Sequence, residues 1–376
     1  MRTYLTLLIL LILSRSVSAQ DTFLKTYDFF DGADETARNM FVVDDVVYIL
    51  GSGGCDEGPC LHLYKLTVDG EVLMTRRYPE IAPATRCWLR DSSIYVTGLQ
   101  RLDSLEVRDG YRLYDLDLDG NIRSTVKYNQ ENLSMPPGYP IEAYWPRGTI
   151  ANDNKIIVYG DTSEDDGISD NFNRGLLVYY NMDLSFDTLV FIDPVYRNME
   201  LWNADLDADD NFSFLYDYDE LINGEVIDYR TFELYDDKGS SLYRWLPPRL
   251  YFNRYLFLDH LITSENEAIL HITPESSRFD PGLDLMRVQE DGNIDWREFQ
   301  DFSSVEFRIL DISETRDKNI LVAGFSDGPD QGAHIRKVDI HNGEVIWDRA
   351  FKDYDDEATG NALTNFFNSY ELAVGL

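Results

Sequence analysis

Positive charge is scarce in this sequence. There are 33 Lys and Arg against 68 Asp and Glu, a formal net charge of −35 over 376 residues. Phosphate neutralisation needs basic patches, so the balance argues against a nucleic-acid binder and against docking on anionic membranes. Long apolar runs are lacking as well. The longest lies within residues 1–19, and its length of about nine residues falls short of the roughly 20 that span a bilayer. Cysteine is reduced to three residues and histidine to five, little material for a thiolate or imidazole metal centre. No Gly-x-Ser-x-Gly elbow, phosphate-binding loop, His-Glu-x-x-His pair or sialidase-type Asp box occurs. Those absences remove the most recognisable hydrolase, nucleotide and zinc-protease chemistries.

What is present points first to a compartment. Arg2, the apolar core from Leu5 to Leu13 and the small residues Val17-Ser18-Ala19 predict a cleaved secretory signal over 1–19, with Gln20 opening the mature domain 20–376. The expected location is secreted, at the cell surface or in the periplasm, with no transmembrane segment. In an exported chain, Cys55 and Cys60 are expected to close a small disulfide loop across Gly58-Pro59. A metal reading of that pair needs further ligands, and no second Cys pair or nearby His pair supplies them. Cys87 is left as an inert buried thiol. Hydrophobic residues make up 44% of the chain, enough to fold, so disorder is excluded.

An internal repeat sets the architecture. Apolar strands recur as VVYILG (46–51), SIYVTG (93–98), KIIVYG (155–160), NFSFLY (211–216), EAILHI (267–272), NILVAG (319–324) and YELAVG (370–375). Each but the last is followed by a strand and a turn, such as LYKLTVDG (63–70) or IRKVDIHNG (335–343), and then by a further strand, such as EVIWDRAF (344–351). Asp-Gly and Asn-Gly between such runs are hairpin signals, because both residues tolerate positive φ. The period is about 54 residues, and four antiparallel strands per period describe a propeller blade. The prediction is an all-β chain: a single β-propeller of four-stranded antiparallel blades. Seven blades are expected, with the N-terminal strand 22–29 closing the last one beside the segments after Glu357. Six blades and a tail are the alternative. The repeat count stops inside the seventh blade, so the expectation is either a sequence cut short or an incomplete last blade.

The stretches VQEDGNIDWREF (288–299) and VDIHNGEVIWDRAF (338–351) resemble the secreted bacterial β-propeller repeat proteins often found in Bacteroidetes. That resemblance implies an architecture and an exported protein, of a kind often followed by a type 9 secretion sorting domain. It implies no particular activity.

Asp115-Leu-Asp-Leu-Asp119-Gly120 imitates a calcium loop, but loop position 12 is Val126 where a bidentate Glu is needed. Its equivalents in other repeats read as hairpin turns. No cofactor or metal is expected, and no catalytic residue is assigned. The connections predicted to be long and variable, including 52–60, 99–110, 129–144, 161–174 and 217–228, share one end of the blades. Function is grafted where loops vary on a regular scaffold. The ligand-binding candidates on that face are Tyr139, Tyr144, Trp145, Trp202, Tyr218, Arg278 and Phe279, with Trp145 and Trp202 expected just before innermost strands. The reading is a monomeric, non-catalytic binding module for a protein or glycan. The alternatives are a glycan hydrolase or lyase built on a propeller, and a structural array within a longer surface protein.

Overall fold

A computed structural model describes residues 36–55, 58–99, 111–128, 143–164, 172–192, 197–222, 225–245, 255–274, 282–289, 293–301, 306–315, 317–327 and 332–352. The first blade is β1 (Thr36–Val43), β2 (Val46–Cys55), β3 (Gly58–Thr67) and β4 (Val72–Tyr78). The second is β5 (Ala82–Arg90), β6 (Ser93–Leu99), β7 (Tyr111–Asp117) and β8 (Ile122–Lys127). The third is β9 (Ala143–Ala151), β10 (Lys155–Glu164), β11 (Phe172–Asn181) and β12 (Phe186–Phe191). The fourth is β13 (Arg197–Leu206), β14 (Phe212–Ile222), β15 (Glu225–Tyr235) and β16 (Ser241–Trp245). The fifth is β17 (Tyr255–Ile262), β18 (Ala268–Pro274), β19 (Gly282–Val288) and β20 (Ile294–Asp301). The sixth is β21 (Glu306–Glu314), β22 (Ile320–Asp327), β23 (Gly332–Val338) and β24 (Val345–Lys352).

Every sheet is an antiparallel meander in chain order, and the six sheets form a β-propeller ring. The described residues hold six blades and no helix. The segments expected to form a seventh, 22–29 and 357–376, lie outside the described residues.

Packing follows from two-residue alternation. Outer strands are wet: β8 is exposed at nearly every position, whereas β7 beside it is mostly buried. The first strand of each blade is innermost and packs against the first strands of its neighbours, as β9 does with β5 and β13. The core therefore lies between blades, with one apolar cluster filling each of the five boundaries from first–second to fifth–sixth. Between the second and third blades Tyr111 stacks on Tyr128 at 4.6 Å, and its hydroxyl bonds that of Tyr180 at 2.8 Å. Buried phenols of this kind need such partners to offset lost hydration.

The turns at one end are built alike. Asp117, Asp207 and Asp236 each use one carboxylate oxygen to accept two backbone N–H groups of the turn that follows. This is Asx-turn chemistry, and it accounts for the Asp-rich run at 115–120. Gly70, Gly120, Gly239 and Gly343 take positive φ in the equivalent hairpins. One expected loop is corrected. Residues 217–228 mostly extend the strands, with β14 running to Ile222 and pairing there with Glu225 of β15. Within the other expected loops, 52–55, 58–60, 161–164 and 172–174 are strand as well.

Candidate functional site

All six innermost strands break register, each at the corresponding place. The irregularities fall between Ala37 and Asn39, Pro83 and Cys87, Pro146 and Gly148, Leu201 and Asn203, Phe257 and Asp259, and Ile309 and Asp311. A bulge adds a residue to one strand and re-aims side chains beside it. Arg147 is the extra residue of the third blade and Trp202 that of the fourth. The two meet: the Arg147 guanidinium lies 5.9 Å from the Trp202 ring centre.

Around this pair the third and fourth blades place three carboxylates. Asp161, on β10, accepts from Arg147 Nε at 2.5 Å and from the backbone N–H of Leu201 at 2.8 Å. Glu200, half-exposed on β13, lies 3.5 Å from the same guanidinium. Asp217, on β14, accepts the backbone N–H of Glu200 at 3.2 Å. Burial is the main influence on Asp161, and it pushes the carboxyl up to about 6 despite the Arg147 charge. Burial is the largest single influence on the Arg147 guanidinium and lowers its pKa, yet the charge and hydrogen bond of Asp161, with the charges of Glu200 and Asp217, together hold it above the ordinary value. The result is an aromatic face, 40% exposed at Trp202, beside an anchored cation and a solvent-reachable carboxylate.

The predicted ligand residues separate. Trp202 is exposed, and it lies within β13 rather than before it. Trp145 likewise lies within β9, paired with Asp161 on β10. Tyr144 is buried, with its hydroxyl donating toward the carbonyls of Val158 and Leu176 at 3.1 and 3.3 Å. Tyr218 is buried in the cluster between the third and fourth blades. Both tyrosines thus pack inside the ring rather than on its surface. Tyr139, Arg278 and Phe279 lie outside the described residues. The sequence reading missed Arg147, Asp161 and Glu200. Nothing local marks them, because their association depends on register across two blades.

Cys55 and Cys60 form a disulfide at the end of the β2–β3 hairpin, and Cys87 is a buried free thiol. One histidine does come alongside the pair. His62 places a ring nitrogen within 4.8 Å of both sulfurs, but those sulfurs are engaged with each other. Its Nδ1 bonds the Tyr64 hydroxyl at 2.8 Å, and burial, aided by the Arg77 charge, lowers its pKa to about 4. His260 and His271 sit on the paired strands β17 and β18. Both are buried, and His260 Nε2 bonds Ser213 Oγ of the fourth blade.

No family model matches the chain, and no curated protein matches its sequence. Solved structures do resemble it in fold. A polysaccharide lyase of family PL25, an ulvan lyase bound to a sulfated glucuronyl-rhamnose ligand, superposes with a TM-score of 0.52 at 11% identity, covering 93% of this chain and 85% of that one. A prolyl endopeptidase gives 0.49 at 11% identity over 85% of this chain and 42% of that one. A europium-containing methanol dehydrogenase gives 0.42 at 9% identity over 84% and 79%. At 11% identity the likeness to the lyase shows the class of fold, the β-propeller, and assigns no chemistry.

Proposed function

We propose that this protein is an exported β-propeller that binds a neutral glycan, without cleaving it, on the innermost strands of its third and fourth blades. The observation that carries the reading is Trp202, an exposed indole on an otherwise packed strand, set beside Arg147 and Glu200. A sugar ring offers an apolar C–H face to an aromatic platform and hydroxyls to flanking charged groups. A few convergent polar groups around an apolar surface are the usual makeup of a ligand site. Arg147 is already engaged by Asp161 and Glu200, so an anionic sugar would meet uncompensated carboxylates. The net charge of the chain, −35, acts in the same direction.

Export is supported by the Cys55–Cys60 disulfide, a feature of oxidising compartments. A seventh blade, joining 22–29 with 357–376, is part of the same reading. Its support is that, among the described residues, the sixth and first blades do not pack on one another as consecutive blades do. Glycan cleavage is the rival, and it draws on the raised pKa of Asp161. That side chain is almost fully buried, and both its oxygens are engaged. We therefore assign it to positioning Arg147 and the fourth blade.

The test is retention on immobilised cello-, xylo- and chito-oligosaccharides, with glucuronate polymers alongside. Retention on a neutral series, lost in Trp202→Ala, is expected. Absence of retention on every series, or release of new reducing ends, would overturn the proposal.

A further inference from the structure

A cavity of about 280 Å³ lies between the fourth and fifth blades, and Trp202 is not among the residues that line it. Its floor is apolar, formed by Phe232, Leu234, Tyr243 and Ile262, and its rim carries Asp207, Asp209 and Asn266. Among the described residues, none that lines it is basic. Leu242 at the mouth is 54% exposed, so the cavity reaches solvent.

Comparison of the blades explains why space is left here. Ladder pairing makes Leu234 of β15 equivalent to Lys65 of β3, Tyr179 of β11 and Arg287 of β19. Each of those three reaches the hairpin turn of the next blade. Lys65 Nζ donates to the Leu118 carbonyl at 3.3 Å and to Asp119 at 3.1 Å. Arg287 donates to the Ile340 carbonyl at 2.9 Å and is held by Glu267 at 2.5 Å. Tyr179 packs beside the turn at Gly239, with Asp236 and Asp237 close enough to push its phenol further up after burial. The second blade has Asp115 at this place, and in the sixth Lys337 turns back to Asp317. In the fourth blade, Leu234 has neither the length nor the charge to cross to the fifth.

We propose that this cavity is a binding site for an alkyl guanidinium or alkyl ammonium group, which takes the place that Lys65 and Arg287 fill at their own blade boundaries. The aliphatic stem would lie against Phe232, Leu234 and Tyr243, as long cationic side chains commonly lie on apolar surface. The head would face Asp209, whose carboxylate is exposed and bonded to Asn266 at 3.2 Å. Asp207 adds charge, although its oxygens already accept from the turn at Asn211. The inference is independent of the glycan reading, since the two sites share no residue.

Two cation sources share this chemistry, and calorimetric titration separates them. The probes are agmatine and the peptide acetyl-Gly-Arg-Gly-amide, with the citrulline peptide as neutral isostere. Saturable binding of an arginine probe, weaker by at least about tenfold for citrulline, is expected. A tighter peptide marks a protein partner; equal affinity for agmatine marks a free amine. Leu234→Arg, which supplies the cation from within, is expected to abolish binding and to raise the melting temperature. Asp209→Asn, on the exposed rim, is expected to weaken binding several-fold and guards against misfolding of the first variant. Absence of saturable binding by either arginine probe, equal affinity for the citrulline peptide, or unchanged affinity in both variants would overturn the proposal.

Discussion

Asp161 of the third blade accepts the backbone N–H of Leu201 in the fourth at 2.8 Å, while its second carboxylate oxygen takes Arg147 at 2.5 Å. One buried side chain thereby fixes a blade boundary and also sets the cation that lies over Trp202. Asp205 does the first of these jobs one boundary further on, accepting the backbone N–H of Ile262 at 2.8 Å. Asn39 does it between the first and second blades, accepting from Cys87 N at 2.8 Å.

Asp161 is predicted to make stability fall as pH rises. Burial raises its folded pKa to about 6, above the ordinary carboxylate value near 4. Between those values the folded state holds the proton more than the unfolded chain does, so ionisation costs stability as pH climbs through the window. Asp161→Asn removes that titration. Urea unfolding at several pH values is expected to show the variant gaining on its parent by on the order of 2 kcal/mol between about pH 4 and pH 7. A difference that stays constant with pH would contradict the assignment.

The buried histidines act with the opposite sign. Burial lowers His271 to about 3, and burial together with the Arg86 charge does the same for His260. The unfolded chain binds protons first, so stability present above about pH 6.5 is lost as pH falls toward the folded values. His260→Gln and His271→Gln are each expected to shallow the acid side of the stability profile, by on the order of 2 kcal/mol at about pH 4.5. A slope unchanged in both variants would show that the imidazoles are not held neutral.

Gly120 is predicted to be harder to replace than the hairpin glycine Gly70. Its φ is +75°, and an added Cβ would stand 2.6 Å from the Tyr78 hydroxyl oxygen. That hydroxyl donates to the Gly120 carbonyl at 2.6 Å and so ties the first blade to the second. Gly120→Ala combines left-handed backbone strain with loss of this bond, for an expected cost of about 2 to 3 kcal/mol in denaturant unfolding. Gly70→Ala, also at φ +75°, is expected to cost less.

Much of the fold was legible because strand period and turn chemistry are local. Predicted runs such as 93–98 and 344–351 correspond to β6 and β24 almost residue for residue. The Asp-Gly and Asn-Gly signals at Gly70, Gly120 and Gly343 fall on turns whose glycines have positive φ. Even the mistaken loop at 217–228 carried its own correction, since Asn223-Gly224 at its centre is a tight-hairpin dipeptide. The site was less legible. Trp202 stood out as an aromatic before an apolar strand, but Tyr144 and Tyr218 look the same in sequence and are buried. What separates them is the one-residue bulge at Trp202, which reverses alternation and has no sequence signature. Asp161 was hidden for a related reason. Among 68 acidic residues, its distinction is a contact 40 residues away across a blade boundary.

The central claim concerns Trp202, and calorimetric affinity for the retained neutral oligosaccharide tests it most directly. Trp202→Ala is expected to weaken binding by about tenfold to a hundredfold, consistent with loss of one aromatic platform, while Trp202→Phe retains most of it. Unfolding midpoints should stay near the parent in both, because the indole is 40% exposed. Equal affinity of the parent and Trp202→Ala, with both folded, would contradict the account.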